Sequence, residues 1–284
     1  RNSFNFKNNN MKRALLYLFY FALMQFFLSW AVYAAWLLAS GESADYVWRT
    51  FCGGNAEAVT APMLILASAV TSIAIGALFI WRRYADVSPA YLRSRQWGVF
   101  FWCALAAVGT IIPSAALQEL MPALPDYLSG TFKAIMGHNF GYLTLCLLAP
   151  LVEEVVFRGA ILRTLLRAFG SHWAAITVSA LLFAVVHLNP AQMPHAFLMG
   201  LLLGWMYYRT GSILPAVAVH WVNNTVAYAF YLLFPYWADA SLSTLFGGDT
   251  VRVLMAVGFS LLILLPSIYQ LNMRMKTVDG QPHA

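Results

Sequence analysis

Three groups of polar residues interrupt apolar stretches in the second half of this sequence, and their side chains are of the types that activate water in hydrolytic enzymes. The groups are Glu153, Glu154 and Arg158; Phe183 and His187; and His220 with Asn224. A carboxylate accepts a proton from water, and imidazole and amide groups stabilise the oxyanion that forms on an attacked carbonyl. One carboxylate and two histidines also suit a catalytic zinc ion, so both chemistries stay open at this point.

Helical spacing gives the two adjacent glutamates different roles. Glu154 and Arg158 are four residues apart, so they face each other on a helix and are predicted to form an ion pair. Glu153 points about 100° away at roughly 3.6 residues per turn, which leaves its carboxylate free to face a cavity. The alternative is an amphipathic helix at the membrane interface, on which both glutamates simply meet water.

The two histidine patterns also have a structural alternative when each is taken alone. His187 follows Phe183 by one helical turn, and His220 shares a helix face with Asn224 but not with Asn223. Such residues also pack inside helix bundles or hold transmembrane helices together. Burying each group alone would be costly, whereas a shared cavity lets them satisfy one another. The sequence therefore predicts that all three groups surround one intramembrane polar cavity.

The remaining histidines, His138, His172 and His195, match no pattern and are predicted to be interface or packing residues. Of these three, His195 is the one that could reach the same cavity, because it lies at the start of the next predicted helix. Three scattered cysteines, Cys52, Cys103 and Cys146, indicate no disulfide framework and no structural zinc site.

The composition indicates that lipid surrounds the helices that carry these residues. The chain is 61% hydrophobic and only 10% charged, with a mean hydropathy of +0.67, whereas soluble domains carry about 25% charged residues. The net charge of +6 lies in short segments between apolar runs. There it sets membrane orientation and does not form a nucleic-acid-binding surface, so membrane lipids are expected partners and nucleic acid is not.

The apolar runs predict an all-α, polytopic membrane protein with about eight transmembrane helices. The predicted spans are 14–38, 59–81, 97–117, 140–169, 173–188, 196–208, 213–234 and 251–268. Residues 1–10 differ sharply in composition, and Met11 resembles a native start, so these ten residues are predicted to be upstream sequence. Residues 11–284 are predicted to form a single membrane domain.

Charge placement agrees with eight spans and predicts which side each loop occupies. The basic residues are Lys12, Arg13, Arg82, Arg83, Arg93, Arg95, Arg163, Arg167, Arg209, Arg274 and Lys276. The acidic residues of the alternate loops are Glu42, Asp45, Glu57, Glu119, Asp126, Asp239 and Asp249. Eight crossings put every basic cluster on one side, which predicts that both termini are cytoplasmic. This pattern favours a bacterial inner membrane.

At these motifs the sequence resembles the type II CAAX prenyl endopeptidases, also called the CAAX protease and bacteriocin-processing family of intramembrane proteases. The motifs of that family are EExxxR, FxxxH and HxxxN or HxxxD, in that order on successive helices. Here they read Glu153-Glu154-VVF-Arg158, Phe183-AVV-His187 and His220-WVN-Asn224. The resemblance covers a protease core of about 140–231, and the first three spans and the last match only in hydropathy.

The resemblance implies a role for each motif residue. Glu153 would be the catalytic glutamate, and His187 would work with it to activate water. His220 and Asn224 would hold the oxyanion, and Glu154, Arg158 and Phe183 would support them. We expect a glutamate-type peptidase that requires no cofactor, with a zinc enzyme that uses Glu153, His187 and His220 as the alternative.

The expected substrate is a membrane-associated peptide or protein, cut near its C-terminus or membrane anchor. Processing of prenylated CAAX proteins is one alternative that the resemblance implies. A non-enzymatic immunity or transport protein is another. Paired broken helices in two related halves would indicate a transporter, and the sequence shows no such symmetry. The intact motifs favour an enzyme over an inactive scaffold.

Overall fold

The structure is a computed structural model that describes residues 2–52, 59–94 and 96–277. Arg95 and Glu57, which the sidedness prediction uses, lie outside these residues. The described chain is helical and contains no strand, which confirms the all-α prediction. Eight long helical elements appear in the predicted order. They are α1 (Asn2–Ala39), α2 (Ala61–Trp81), α3 (Trp97–Glu119), α4 (residues 143–168), α5 (His172–Val185), α6 (Met193–Thr210), α7 (Leu214–Leu233) and α8 (Thr250–Arg274).

Short helices connect some of these elements. They are Ala44–Cys52, Ala90–Arg93, Ser129–Met136, the 3₁₀ turn Pro235–Trp237 and Leu242–Leu245. The first long helix begins at Asn2, twelve residues before the predicted span 14–38. That prediction followed the apolar run, whereas the polar residues before it continue the same helix. That residues 1–10 precede the native start remains a prediction.

Four of the eight long helices are long and apolar enough to cross a membrane by length and composition. These are α1, α2, α3 and α8. The other four are shorter or more polar: α5 has 14 residues, and α4 and α7 carry the three motif groups together with α5. The structure is therefore a polytopic membrane protein, and the helices that carry the candidate chemistry do not meet the length and hydropathy of a full span.

The sequence prediction treated 140–169 as one regular α-helical span, but α4 contains two π-helical segments. Its π-helical segments Leu143–Leu148 and Val155–Leu162 flank the α-helical turn Ala149–Glu154, and the α-helix resumes at Arg163–Ala168. In a π-helix each carbonyl bonds five residues ahead instead of four, which widens the turn, and such segments are frequent at functional sites. Both glutamates therefore lie between two widened turns.

Helix α5 ends three residues earlier than the predicted span 173–188. It runs for 14 residues, about 21 Å at 1.5 Å per residue, which is less than the roughly 30 Å of the hydrocarbon core. The chain then turns at Leu188, whose φ of 51° lies in the left-handed region. His187 consequently lies two residues beyond the end of α5, in the turn, and is partly buried there.

The turn after α5 is irregular backbone covered by protein. The buried Asn189 donates from Nδ2 to Asp126 Oδ1 at 2.9 Å and accepts from the Tyr127 backbone at 3.0 Å. Gln118 donates to the Ala191 carbonyl at 2.8 Å. Non-helical backbone at membrane depth is tolerated where protein satisfies its polar groups. The segment 120–128 thus acts as a cover over the end of α5.

Close contacts between helix ends support the predicted arrangement of the loops. At one face, named the basic face here, Arg163 contacts Asp86 at 3.1 Å and Arg209 donates to Asn272 Oδ1 at 2.7 Å. At the other face Lys133 pairs with Asp239, and this hydrogen bond raises the pKa of Lys133. The ends of α4, α6 and α8 and the segment after α2 therefore meet at the basic face, and the loops before α4 and before α8 meet at the other. The side of the membrane on which each face lies remains a prediction.

Candidate active site

A buried ion pair between Arg158 and Glu154 lies at the bottom of the site. Arg158 Nη1 donates to Glu154 Oε1 at 2.9 Å, and both side chains are fully inaccessible to solvent. The i,i+4 pairing predicted from the sequence is therefore present. Breaking one side of such a pair leaves an uncompensated buried charge, which costs about 3–5 kcal/mol.

Besides Glu154, the Arg158 guanidinium has two further contacts among the described residues. Its Nη2 donates to the Gly200 carbonyl at 3.2 Å, and its guanidinium carbon lies 4.5 Å from the centroid of the Phe183 ring. A cation over an aromatic face is attracted by the ring quadrupole. At Gly200 the backbones of α5 and α6 are in contact, since an added Cβ would lie only 2.8 Å from the Ala180 Cα.

The same glutamate orients His220. His220 Nδ1 lies 2.9 Å from Glu154 Oε1, and a carboxylate oxygen can only accept. The Nδ1 proton is therefore fixed, and Nε2 points to the other side of the ring. A carboxylate that holds a histidine by Nδ1 sets its tautomer in many hydrolytic enzymes.

Glu153 lies on that other side. Its Oε2 is 3.7 Å from His220 Nε2, and 24% of its side chain is accessible. This separation is too long for a direct hydrogen bond, but one water molecule can contact both atoms. Glu153 is thus the partly accessible carboxylate and Glu154 the buried, paired one, as the helical spacing predicts.

His187 and Phe183 complete the aromatic part of the site. His187 Nδ1 lies 2.7 Å from the Phe183 carbonyl, which can only accept, so the Nδ1 proton is again fixed and Nε2 is the free ring nitrogen. The Phe183 ring meets the rings of His187 and His220 edge to face, at centroid distances of 4.9 and 5.8 Å. Phe183 therefore lies between both histidines and Arg158.

Asn224 is oriented from two directions. Its Nδ2 donates to the Leu145 carbonyl at 2.9 Å, and its Oδ1 accepts from Asn223 Nδ2 at 3.2 Å. The Leu145 carbonyl lies in the first π-helical segment, and Pro150, five residues on, has no N–H to offer it. Asn224 consequently faces α4, as His220 does, and retains one free N–H for a further acceptor.

Three side chains near the site were not among the predicted site residues. His195 Nδ1 lies 2.9 Å from Ser114 Oγ, and Ser114 Oγ itself donates to the Ile111 carbonyl at 3.0 Å, so the Nδ1 of His195 must be the donor. His195 also lies near Asn223, which orients Asn224. His195 was named as able to reach the cavity, but nothing in the spacing indicated that Ser114 or Asn223 would join it.

The described residues contain no group of three His, Cys, Asp or Glu side chains placed to hold one metal ion. Glu153 and His220 approach each other, while His187 makes its hydrogen bond to the Phe183 backbone. The residues as placed do not form the ligand set of the zinc alternative, and no chemical step below passes through a metal. In the ion pair below them, the buried Glu154 Oε2 and Arg158 Nε have no hydrogen-bond partner among the described residues, and Glu154 Oε2 is suited to an ordered water.

Comparison with known proteins agrees with the motifs. Residues 137–226 match the family model described as Type II CAAX prenyl endopeptidase Rce1-like. These residues are therefore similar to an Rce1-like domain. A curated Escherichia coli protein, described as an uncharacterized 24.3 kDa protein, is 29% identical over 160 residues, which are 53% of this chain and 72% of that protein. No solved structure matches.

The Rce1-like domain coincides with the helices that hold the site. It begins at Gly137, just before α4, and its end at Val226 lies two residues beyond Asn224. The resemblance predicted from the three motifs is therefore confirmed. The match supports a CAAX-type intramembrane protease, and within it the roles of Glu153, His187, His220 and Asn224 remain predictions.

Proposed function

We propose that this protein is an intramembrane endopeptidase that hydrolyses a peptide bond near the C-terminus or membrane anchor of a membrane-associated peptide or protein. The observation that carries the proposal is the approach of Glu153 Oε2 to His220 Nε2 at 3.7 Å, with His220 fixed by the buried Glu154. A general base for water needs both a free lone pair and access to the substrate, and Glu153 offers both.

In the proposed reaction, Glu153 accepts a proton from the shared water, and the resulting hydroxide attacks the carbonyl carbon of the scissile bond. The free N–H of Asn224 donates to the oxyanion, and its amide cannot turn away because Leu145 and Asn223 hold it. The Glu154 carboxylate holds Nδ1 of His220, so Nε2 faces the shared water, and a proton on Nε2 would donate to the oxyanion. Glu153 then passes its proton to the leaving amine, which completes the addition of one water.

His187 has a second proposed role in activating water. Its Nδ1 proton is committed to the Phe183 carbonyl, so the neutral ring presents Nε2 as an acceptor. If Nε2 faces the same water as Glu153, it helps to orient that water before the proton is removed. This assignment follows the family motif, and the edge-to-face contact with Phe183 supplies the fixed ring orientation that it needs.

The test uses the full chain in liposomes with three peptide classes: a transmembrane-anchored peptide, a prenylated CAAX peptide and the same CAAX peptide without the prenyl group. Products are read by mass spectrometry in ¹⁸O-labelled water, because hydrolysis places one label in the new carboxyl terminus. Preference for the anchored peptide supports the proposal. Cleavage of the prenylated peptide alone favours CAAX processing, the activity named in the matching family description.

Glu153→Gln is expected to lower cleavage by about 10²–10⁴-fold, because it removes the base and keeps the size of the side chain. Glu42→Gln, which changes an exposed glutamate in the loop after α1, is the matched control and should keep full activity. Retained activity in Glu153→Gln would remove this residue from the mechanism. Inhibition by a chelator, reversed by added zinc, would favour the metal alternative.

A further inference from the structure

A polar cavity of about 130 Å³ opens at the basic face, at the far end of α4 from the glutamates. Its walls include Asp86, Arg163, Leu166, Arg167, Tyr207 and Tyr208. Four of these side chains are basic or phenolic and can donate hydrogen bonds. The apolar side chain of Leu166 closes part of the wall.

The charges around this cavity do not cancel. Arg163 pairs with Asp86 at 3.1 Å, and the backbone of Asp86 is tied to the Gly159 carbonyl at 3.4 Å. Within the described parts of the chain, no carboxylate pairs with the exposed Arg167, so the wall keeps one net positive charge. Tyr207, only 6% exposed, adds a phenol to the same wall. This lining suits a phosphate group.

An apolar groove of about 350 Å³ lies beside the cavity, between α1 and the end of α2. Its lining is Tyr20, Leu23 and Met24 from α1, Leu78, Trp81 and Tyr84, and one charged residue, Arg82. Tyr17 connects the two sites. Its ring lies 4.8 Å from that of Tyr84 by centroid, and it is close enough to Arg163 and Arg167 to experience their charges.

We propose that the cavity and the groove together bind one anionic phospholipid, with its phosphate in the cavity and an acyl chain along the groove. Positive charge next to an apolar channel matches a lipid whose headgroup is negative. Basic pockets between transmembrane helices on the cytoplasmic side are typical headgroup sites, and the basic face is the one that charge placement assigns to that side. The proposal does not depend on peptidase activity.

The experiment measures lipid binding by native mass spectrometry on the full chain in a neutral detergent. Short-chain phosphatidylglycerol and phosphatidylcholine are titrated separately, and inorganic phosphate is added as a competitor. Arg167→Gln removes the unpaired charge, and Met24→Trp fills the groove. Arg252→Gln is the matched control, since it removes an exposed arginine near the start of α8, at the opposite face. Thermal unfolding without lipid verifies that each variant is folded.

Phosphatidylglycerol should bind the wild type more tightly than phosphatidylcholine. Arg167→Gln should weaken phosphatidylglycerol binding about five-fold, which corresponds to about 1 kcal/mol per basic residue at an anionic surface. Arg252→Gln should bind like the wild type, and Met24→Trp should also weaken lipid binding. Equal binding of both lipids, or equal effects of Arg167→Gln and Arg252→Gln, would overturn the proposal. Inorganic phosphate competing at the same concentration as phosphatidylglycerol would overturn it too, since the site would then hold only a soluble anion.

Discussion

The inner helices α4 to α7 differ from the outer helices α1, α2, α3 and α8 in length, hydropathy and the polar groups that they bury. The outer four meet the length and hydropathy required to cross a membrane, and their apolar segments are at most 39% buried within the protein. The inner four fall short of that standard and hold the buried Glu154 and Arg158. Protein and not lipid surrounds the inner polar groups, so their helices do not need a uniformly apolar surface. Hydropathy therefore identifies the outer helices, called the shell, and the three motifs identify the inner helices, called the centre.

The first way to test this comparison is to leave one charge unpaired in the centre. Arg158→Met should destabilise the protein by about 3–5 kcal/mol, because Glu154 would keep a buried charge without its partner. The measurement is unfolding in mixed detergent–SDS micelles. The double variant Glu154→Gln with Arg158→Met should recover a large part of the loss. If the single and double variants are equally unstable, the ion pair is not what holds this region.

A second test compares two helical glycines. Gly200→Ala should cost about 1–3 kcal/mol, because the new Cβ would lie 2.8 Å from the Ala180 backbone and force α5 away from α6. Gly258→Ala in α8 meets nothing within 4 Å and should stabilise its helix by up to about 1 kcal/mol. The same unfolding assay measures both. Equal effects would contradict the close approach of α5 and α6 at Gly200.

The cover over α5 allows a third, more local test. Asn189→Ala removes two hydrogen bonds to the segment 120–128, and each unsatisfied buried group costs about 1–3 kcal/mol. Faster hydrogen exchange at Tyr127 and at residues 186–192 should follow, with little change in the outer helices. Uniformly faster exchange over the whole chain would show that the cover is not a separate unit.

The smallest effect is expected on the lipid-facing surface. Leu262 on α8 is 70% exposed in the protein, so Leu262→Ala should change the free energy of unfolding by no more than about 0.5 kcal/mol. The buried Leu271 of the same helix, at 0% exposure, should cost about 2–5 kcal/mol on the same substitution. Similar losses for the two leucines would indicate that the exposed face of α8 is covered by another protein surface.

Helical spacing alone predicted that Glu154 is the paired carboxylate and Glu153 the accessible one. The four-residue separation placed Arg158 on Glu154 and left Glu153 accessible, because this rule depends only on the turn of the helix. It could not predict that His220 would bind Glu154, since that contact depends on how α7 packs against α4. The early end of α5 was also missed, because the residues after Val185 continue the apolar run while the backbone turns. The contacts of Ser114, His195 and Asn223 are likewise tertiary.

The most direct measurement is an experimental structure at a resolution that shows ordered water. We expect one water within about 3 Å of both Glu153 Oε2 and His220 Nε2, at ordinary hydrogen-bond lengths, and no anomalous signal from a metal at that place. Replacing Glu153 with Gln should weaken or shift this water while His220 stays on Glu154. A Glu153 carboxylate turned towards lipid, or a metal ion bound by Glu153, His187 and His220, would contradict the account.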